Sequence, residues 1–116
     1  MADISKDFSK RGAVMLVEKW DETKWGPLTE ANMRKKLEAE GYSVAKYTYP
    51  PGTYFPDHTH SFDKKDTVLR GRFRLRLLGQ EVILEPGDMI AVPANTIHNA
   101  EVVGDESVVS LDASKF

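Results

Sequence analysis

The 116-residue chain contains three histidines, and they are not scattered: His58 and His60 form an H-x-H pair, and His98 lies further along the chain. In an extended strand, residues i and i+2 project from the same face, roughly 7 Å apart, so two such rings can converge on one ion. A third ring, brought in by a separate strand, completes a facial set if the sheet folds back on itself. Imidazole is the usual side-chain ligand of Zn, Fe, Ni and Cu, and three ligands leave open positions for water or substrate. An isolated H-x-H is more often a pair of solvated strand residues, so the metal reading depends on its surroundings.

Composition removes several competing chemistries. The chain has no cysteine, which excludes disulfides, thiolate metal sites and a Cys nucleophile. A Ser-His-Asp triad would need a histidine not committed to metal, and none is spare. Sixteen Lys and Arg against eighteen Asp and Glu give a net charge of −2, with no basic excess to hold nucleic acid. No apolar run approaches the ~20 residues of a membrane-spanning helix. The first residues, MADISKDFSKRG, lack the apolar core of a secretory signal. These features predict a single soluble, cytoplasmic domain that partners neither nucleic acid nor a membrane.

The elements that must position the histidines are short. An apolar cluster from Val14 to Val17 reads as a first strand. Residues 26–41 form the one good helix candidate, capped by Thr29, stapled by Leu28 and Met33, and closed by Gly41. Trp20 and Trp25 are placed to anchor this N-terminal part. Beyond Gly41 the pattern is β-structure: residues 42–49, 70–77, 81–84, 89–92, 97–103 and 107–112, separated by Pro- and Gly-containing turns. In 70–77, Phe73, Leu75 and Leu77 alternate with Arg70, Arg72, Arg74 and Arg76, the mark of a half-buried antiparallel strand. The arginines read as a solvated or ion-paired outer stripe. Tyr47, Tyr49, Tyr54, Phe55 and Phe62 read mainly as core around the histidine segment, and Asp88 as a turn residue.

Two phrases give the histidines a context. In the first, Gly52 is followed by five residues, His58-x-His60, three residues, Lys64, six residues and Gly71. In the second, Gly87 is followed by five residues, Pro93, the turn Ala94-Asn95, and His98. The spacing resembles the two motifs of the cupin superfamily, G-x5-H-x-H-x3-4-E-x6-G and G-x5-P-x-G-x2-H-x3-N, and all three histidines fall on the family's metal-ligand positions. The resemblance covers about residues 42–112. It implies an all-β, antiparallel jelly-roll (double-stranded β-helix) barrel at 42–116, with residues 1–41 adding a strand and one short helix, and a homodimer built through sheet edges.

Three positions depart from the motifs. Asn95 replaces a glycine, a mild change because Asn tolerates left-handed geometry. Val102 replaces an asparagine that is not a ligand. Lys64 replaces the ligand glutamate, and a protonated ammonium has no lone pair to offer a cation. Lys64 leaves three readings: His58, His60 and His98 alone hold a divalent transition metal (Fe, Mn, Ni or Zn); Asp63 or Asp66 supplies the missing carboxylate; or the site has lost its metal. The functional expectation is a metal-dependent, dioxygenase-like enzyme acting on a small anionic or chelating substrate, with Lys64 as candidate catalytic residue. The alternatives are a non-enzymatic small-molecule or metal-binding cupin, or a sugar-type isomerase or lyase, for which Glu81, Glu85 and Asp66 are the candidate bases.

Overall fold

The computed structural model describes residues 16–116. Of the apolar cluster read as a first strand, Val14 and Met15 lie outside the described residues, and the strand begins at Val17. In chain order the elements are β1 (Val17–Lys19), α1 (Glu22–Trp25), α2 (Glu30–Ala39), β2 (Ser43–Tyr49), β3 (Tyr54–His58), β4 (Asp63–Thr67), β5 (Arg72–Leu77), β6 (Gln80–Leu84), β7 (Asp88–Val92), β8 (His98–Val103) and β9 (Val108–Lys115). All strand pairs are antiparallel. They form a five-stranded sheet, β1-β7-β4-β9-β2, facing a four-stranded sheet, β3-β8-β5-β6.

This is the expected antiparallel jelly roll, with two corrections. The sheets are not closed into a barrel. Several connections between them run through Pro50-Pro51, Pro86 and Pro93, residues that cannot donate to a ladder and so stop pairing where the chain changes sheet. Among the described residues there are also two helices, not one. Asp21 caps the extra turn, α1, its carboxylate accepting from the Thr23 amide at 3.0 Å, and the Trp20 indole closes the turn by donating to Gly26 O at 2.9 Å.

Helix α2 follows its sequence signals. The Thr29 hydroxyl accepts from the Asn32 amide, and Gly41 takes the left-handed conformation past the end. Its apolar face, Met33 and Leu37, packs with Leu28, Trp20, Met89, Leu111 and Ala113 on the outer side of the larger sheet. The main core lies between the sheets and includes Val68, Phe73, Leu75, Leu77, Leu84, Ile90, Val92, Ala100, Val102 and Val108. Strand alternation divides β9 between the two: Val108 faces the other sheet, while Leu111 and Ala113 face the helix.

Strand β4 (DKKDT) carries no apolar pattern and is not legible as a strand in the sequence. Its charges are held individually. Lys65 reaches Glu18 at 2.9 Å and Glu40 at 2.8 Å, and the buried Lys36 of α2 meets the same two carboxylates at 2.6 and 2.5 Å. This four-charge cluster fastens β1 and α2 across the outer face of β4. The other face of β4 points between the sheets. The arginine stripe of β5 is in part ion-paired, within the solvated or ion-paired reading: Arg74 with Glu101, Arg76 with Glu81 at 2.7 Å.

Candidate metal centre and its pocket

The three histidines come together at one end of the space between the sheets. Ring centroids are 4.2 Å apart for His58 and His98, 5.0 Å for His58 and His60, and 5.2 Å for His60 and His98. One ring nitrogen from each lies within 4.8 Å of the others. Among the described residues no carboxylate joins this group.

A register slip aims the first ring. In β3, Tyr54 opposes Glu101 and Phe55 opposes Ala100, but His58 opposes His98, so one extra residue is accommodated between Phe55 and His58. With Phe55 facing the core, strict alternation would turn His58 outward. The bulge reverses the phase and turns it in. Pro56 sits in this bulge, on an edge strand where its missing N–H is tolerated. Strand β3 ends at His58, so His60 lies just beyond it and not within one continuous strand as the H-x-H spacing suggested. The His60 carbonyl accepts from the Asn95 amide at 2.7 Å, and Asn95 adopts φ 63°. That bond brings the turn before β8 against the His60 segment and delivers His98 to the cluster. Gly71, the last motif residue, is required sterically: a Cβ there would stand 2.5 Å from Ser107 O.

The donor set fits a divalent transition metal. His58 Nδ1 lies 2.6 Å from Pro56 O and His98 Nδ1 lies 2.8 Å from Thr96 O. A carbonyl only accepts, so both Nδ1 atoms carry the proton and both Nε2 atoms present a lone pair, the second-shell arrangement typical of metal-ligating histidine. His60 and His98 are held below the ordinary imidazole pKa, by burial first, with the Lys64 charge adding to it. Both are therefore neutral at physiological pH and able to ligate.

Behind the rings is a cavity of about 150 Å³ lined by His58, His60, His98, Tyr49, Phe55, Lys64, Asp66, Phe73, Ala100 and Asp112. Strand alternation in β4 explains its charged part, since Lys64 and Asp66 point in while Asp63 and Lys65 point out. Asp63, an expected ligand candidate, accepts from the Ala94 amide at 2.8 Å and is neither in the histidine group nor in the cavity lining. Lys64 is buried and ion-paired with Asp112 of β9. Asp112 Oδ1 is itself enclosed and meets that ammonium as a charge contact, not an aligned hydrogen bond. Asp66 retains some accessible surface on the cavity side while its carboxyl is densely surrounded by protein. Burial, with the Asp112 charge adding to it, pushes its pKa up to about 6. Burial also raises the Tyr49 phenol, with Asp112 and Asp66 adding to the effect. Of the other candidate bases, Glu81 is paired with Arg76 and Glu85 is exposed in a turn; neither lines the cavity.

Sequence reasoning missed Asp112 and took Tyr49 mainly as core. The signal for Asp112 is its phase: it is four residues from Val108, an even number, and so on the side that faces the smaller sheet.

Comparison with known proteins agrees with this architecture. The family described as Cupin domain matches residues 45–114. The chain belongs to the cupin family. Over 51 residues this cupin is 39% identical to the quercetin 2,3-dioxygenase of Bacillus subtilis (strain 168), a match taking in 43% of the chain and 15% of that protein. The chain thus corresponds to a small part of the curated relative. Among solved structures it resembles KdgF from Halomonas sp. (26% identity, 66% of this chain and 71% of that one, TM-score 0.58). A cupin-like protein from Thermotoga maritima is similar (26% identity, 65% and 57% covered, TM-score 0.58). The DMSP lyase DddQ from Ruegeria pomeroyi DSS-3, at 22% identity with 66% and 39% covered and TM-score 0.59, shares the fold. Among the described residues of the cupin, no helix is long and apolar enough to cross a membrane.

Proposed function

We propose that this cupin is a metal-dependent enzyme in which His58, His60 and His98 hold one divalent transition metal and the cavity behind them takes a small anionic, chelating organic substrate. One observation carries the reading: three imidazole nitrogens within 4.8 Å, two on rings whose Nδ1–H is tied to a backbone carbonyl. Three neutral ligands leave the ion's double charge uncompensated, which favours an anion that binds through two oxygens. When bound, the metal supplies Lewis-acid polarisation and, as Fe(II), a place for dioxygen beside the substrate. The local likeness to quercetin 2,3-dioxygenase supports dioxygenase-like chemistry. The protein's part is to orient and enclose the substrate. Phe55 and Phe73 wall the cavity with apolar surface, and Lys64 places a fixed positive charge in it.

A cavity of about 150 Å³ accommodates a group about the size of benzene. A flavonol does not fit inside it, so the substrate, or the part of it that enters, is smaller. Asp66, a cavity carboxylate with no hydrogen bond or ion pair among the described residues, favours as second reading an isomerase or lyase that moves a proton.

Metal analysis of protein purified without chelators tests the proposal. It expects about one ion per chain and loss of that ion in His58→Ala. Equal metal content in the two proteins would overturn it. Anaerobic Fe(II) loading followed by oxygen uptake with small hydroxy- and oxo-acids then separates the oxygenase from the proton-moving reading.

A further inference from the structure

Besides the histidines, the cavity is lined by four polar groups that metal ligation leaves unused: Tyr49 from β2, Lys64 and Asp66 from β4, and Asp112 from β9. They are not equivalent. The Lys64 ammonium has no lone pair, and Asp112 is engaged by it. The Tyr49 phenol, with its pKa raised, stays protonated and is a hydrogen-bond donor. The histidines present their lone pairs to the metal. Among the described residues of the cavity, Asp66 is left as the carboxylate with neither a hydrogen bond nor an ion pair, feeling Lys64 only through its charge.

We propose that Asp66 is the general base of this site, taking a proton from the carbon next to the carbonyl of a small 2-oxo acid, and that Lys64, fixed by Asp112, faces the enolate that results. The step balances without a co-reactant. The C–H bond breaks, its proton goes to a carboxylate oxygen of Asp66, and its electron pair enters a new C=C bond as the carbonyl oxygen takes the negative charge. Protonation of the same carbon by Asp66 reverses it. The substrate class follows from size, charge and donors together. The cavity admits about six to eight non-hydrogen atoms, by comparison with a benzene-binding cavity of this volume. A three-histidine site favours an anion with two adjacent oxygens. Lys64 occupies the position where the family motif has a ligand glutamate, so a positive charge stands where a carboxylate otherwise would, ready for an oxyanion. Such an enolate is also the kind of electron-rich anion that a dioxygenase-like step would consume.

The inference rests on the proposed metal site, and its test separates the two. The cupin loaded with Zn(II), which has no redox chemistry, is incubated with pyruvate in D2O, and methyl-proton exchange is followed by NMR. Wild type should exceed free Zn(II), and Asp66→Asn should lose about 100-fold, the low end for a positioned base, with zinc stoichiometry unchanged. Exchange within twofold of wild type in Asp66→Asn overturns the role of Asp66. Loss of zinc from wild-type protein instead counts against the metal site.

A second readout needs no turnover. Oxalate, a planar dianion shaped like the enolate of pyruvate, is titrated calorimetrically near pH 7.5 in two buffers of different ionisation enthalpy, with and without zinc. An anion beside Asp66 adds to burial and the Asp112 charge in favouring its protonated form against the pull of Lys64 and His58, with the protonated Tyr49 phenol also lining the cavity, so wild type should take up close to one proton on binding. Asp66→Asn should bind oxalate with no uptake. Wild-type binding without proton uptake, or uptake that persists in Asp66→Asn, overturns the proposal even where zinc binds normally.

Discussion

Asp66→Asn should be more stable relative to wild type at neutral pH than in acid. The carboxyl titrates at about 6 in the folded chain against a usual value of 3.8, because burial penalises its charged form. The folded state therefore holds a proton that the unfolded state has already released. Any stability this gives is fully present below about pH 4 and disappears as pH rises to about 6. Above that, folding must carry a poorly solvated carboxylate. Two pKa units at 1.36 kcal/mol each put the penalty at about 3 kcal/mol. That figure is an upper bound, since the residue keeps some exposure to the cavity and water there screens it. The asparagine does not titrate. Its stability relative to wild type should rise by about 2–3 kcal/mol between about pH 4 and pH 7.5, with any constant packing offset cancelling in the comparison. Urea unfolding of both metal-free proteins across that range measures it. A difference that stays flat with pH, or falls, would refute the account of Asp66 as a carboxylate held in the cavity at a cost in stability.

Lys64→Met leaves Asp112 as an enclosed carboxylate without its counter-charge. The expected loss is about 3 kcal/mol, the lower end of the ~3–5 typical for breaking a buried pair, because the Asp112 side chain keeps 20% exposure; replacing both residues by apolar ones should recover most of it in the same urea assay. The cluster of Lys36, Lys65, Glu18 and Glu40 should be acid-sensitive. Burial works against ionisation of Glu18 and Glu40, but hydrogen bonds from both lysines outweigh it and lower both pKa values. Their contribution is present above the ordinary value of 4.5 and is lost as pH falls below it, so Glu40→Gln should unfold with a shallower acid limb, read by circular dichroism.

What the sequence made legible follows from how local each signal is. The cap and staple of α2 lie within a few residues of each other, and the strict alternation of β5 appears in the chain whatever packs against it. The spacing of the three histidines sits inside the most recognisable stretch. Strand β4 shows the opposite case: DKKDT acquires a strand's two faces only after β7 and β9 flank it. Its outer lysine is satisfied by Glu18 and Glu40 from elsewhere in the chain. Its inner lysine is matched by Asp112, far along the sequence, so no local reading pairs them.

The Lys64 position illustrates why the motif and the site are separate questions. Compared by spacing alone, a lysine in place of a ligand glutamate reads as damage to a metal centre. In three dimensions the same residue is one of a matched pair, and the carboxylate two positions on, Asp66, shares its face of β4 and opens into the same cavity. Beside the three imidazoles the cavity therefore carries a Lys64–Asp112 pair and a second carboxylate, Asp66. A positive group is fixed where an oxyanion would form, and a free carboxylate stands beside it. Burial opposes the charge of Asp66 where it stands. The same burial that makes its ionised form costly makes it a stronger base toward a ligand's proton, so the stability gained by Asp66→Asn and the exchange lost by it should appear in the same variant.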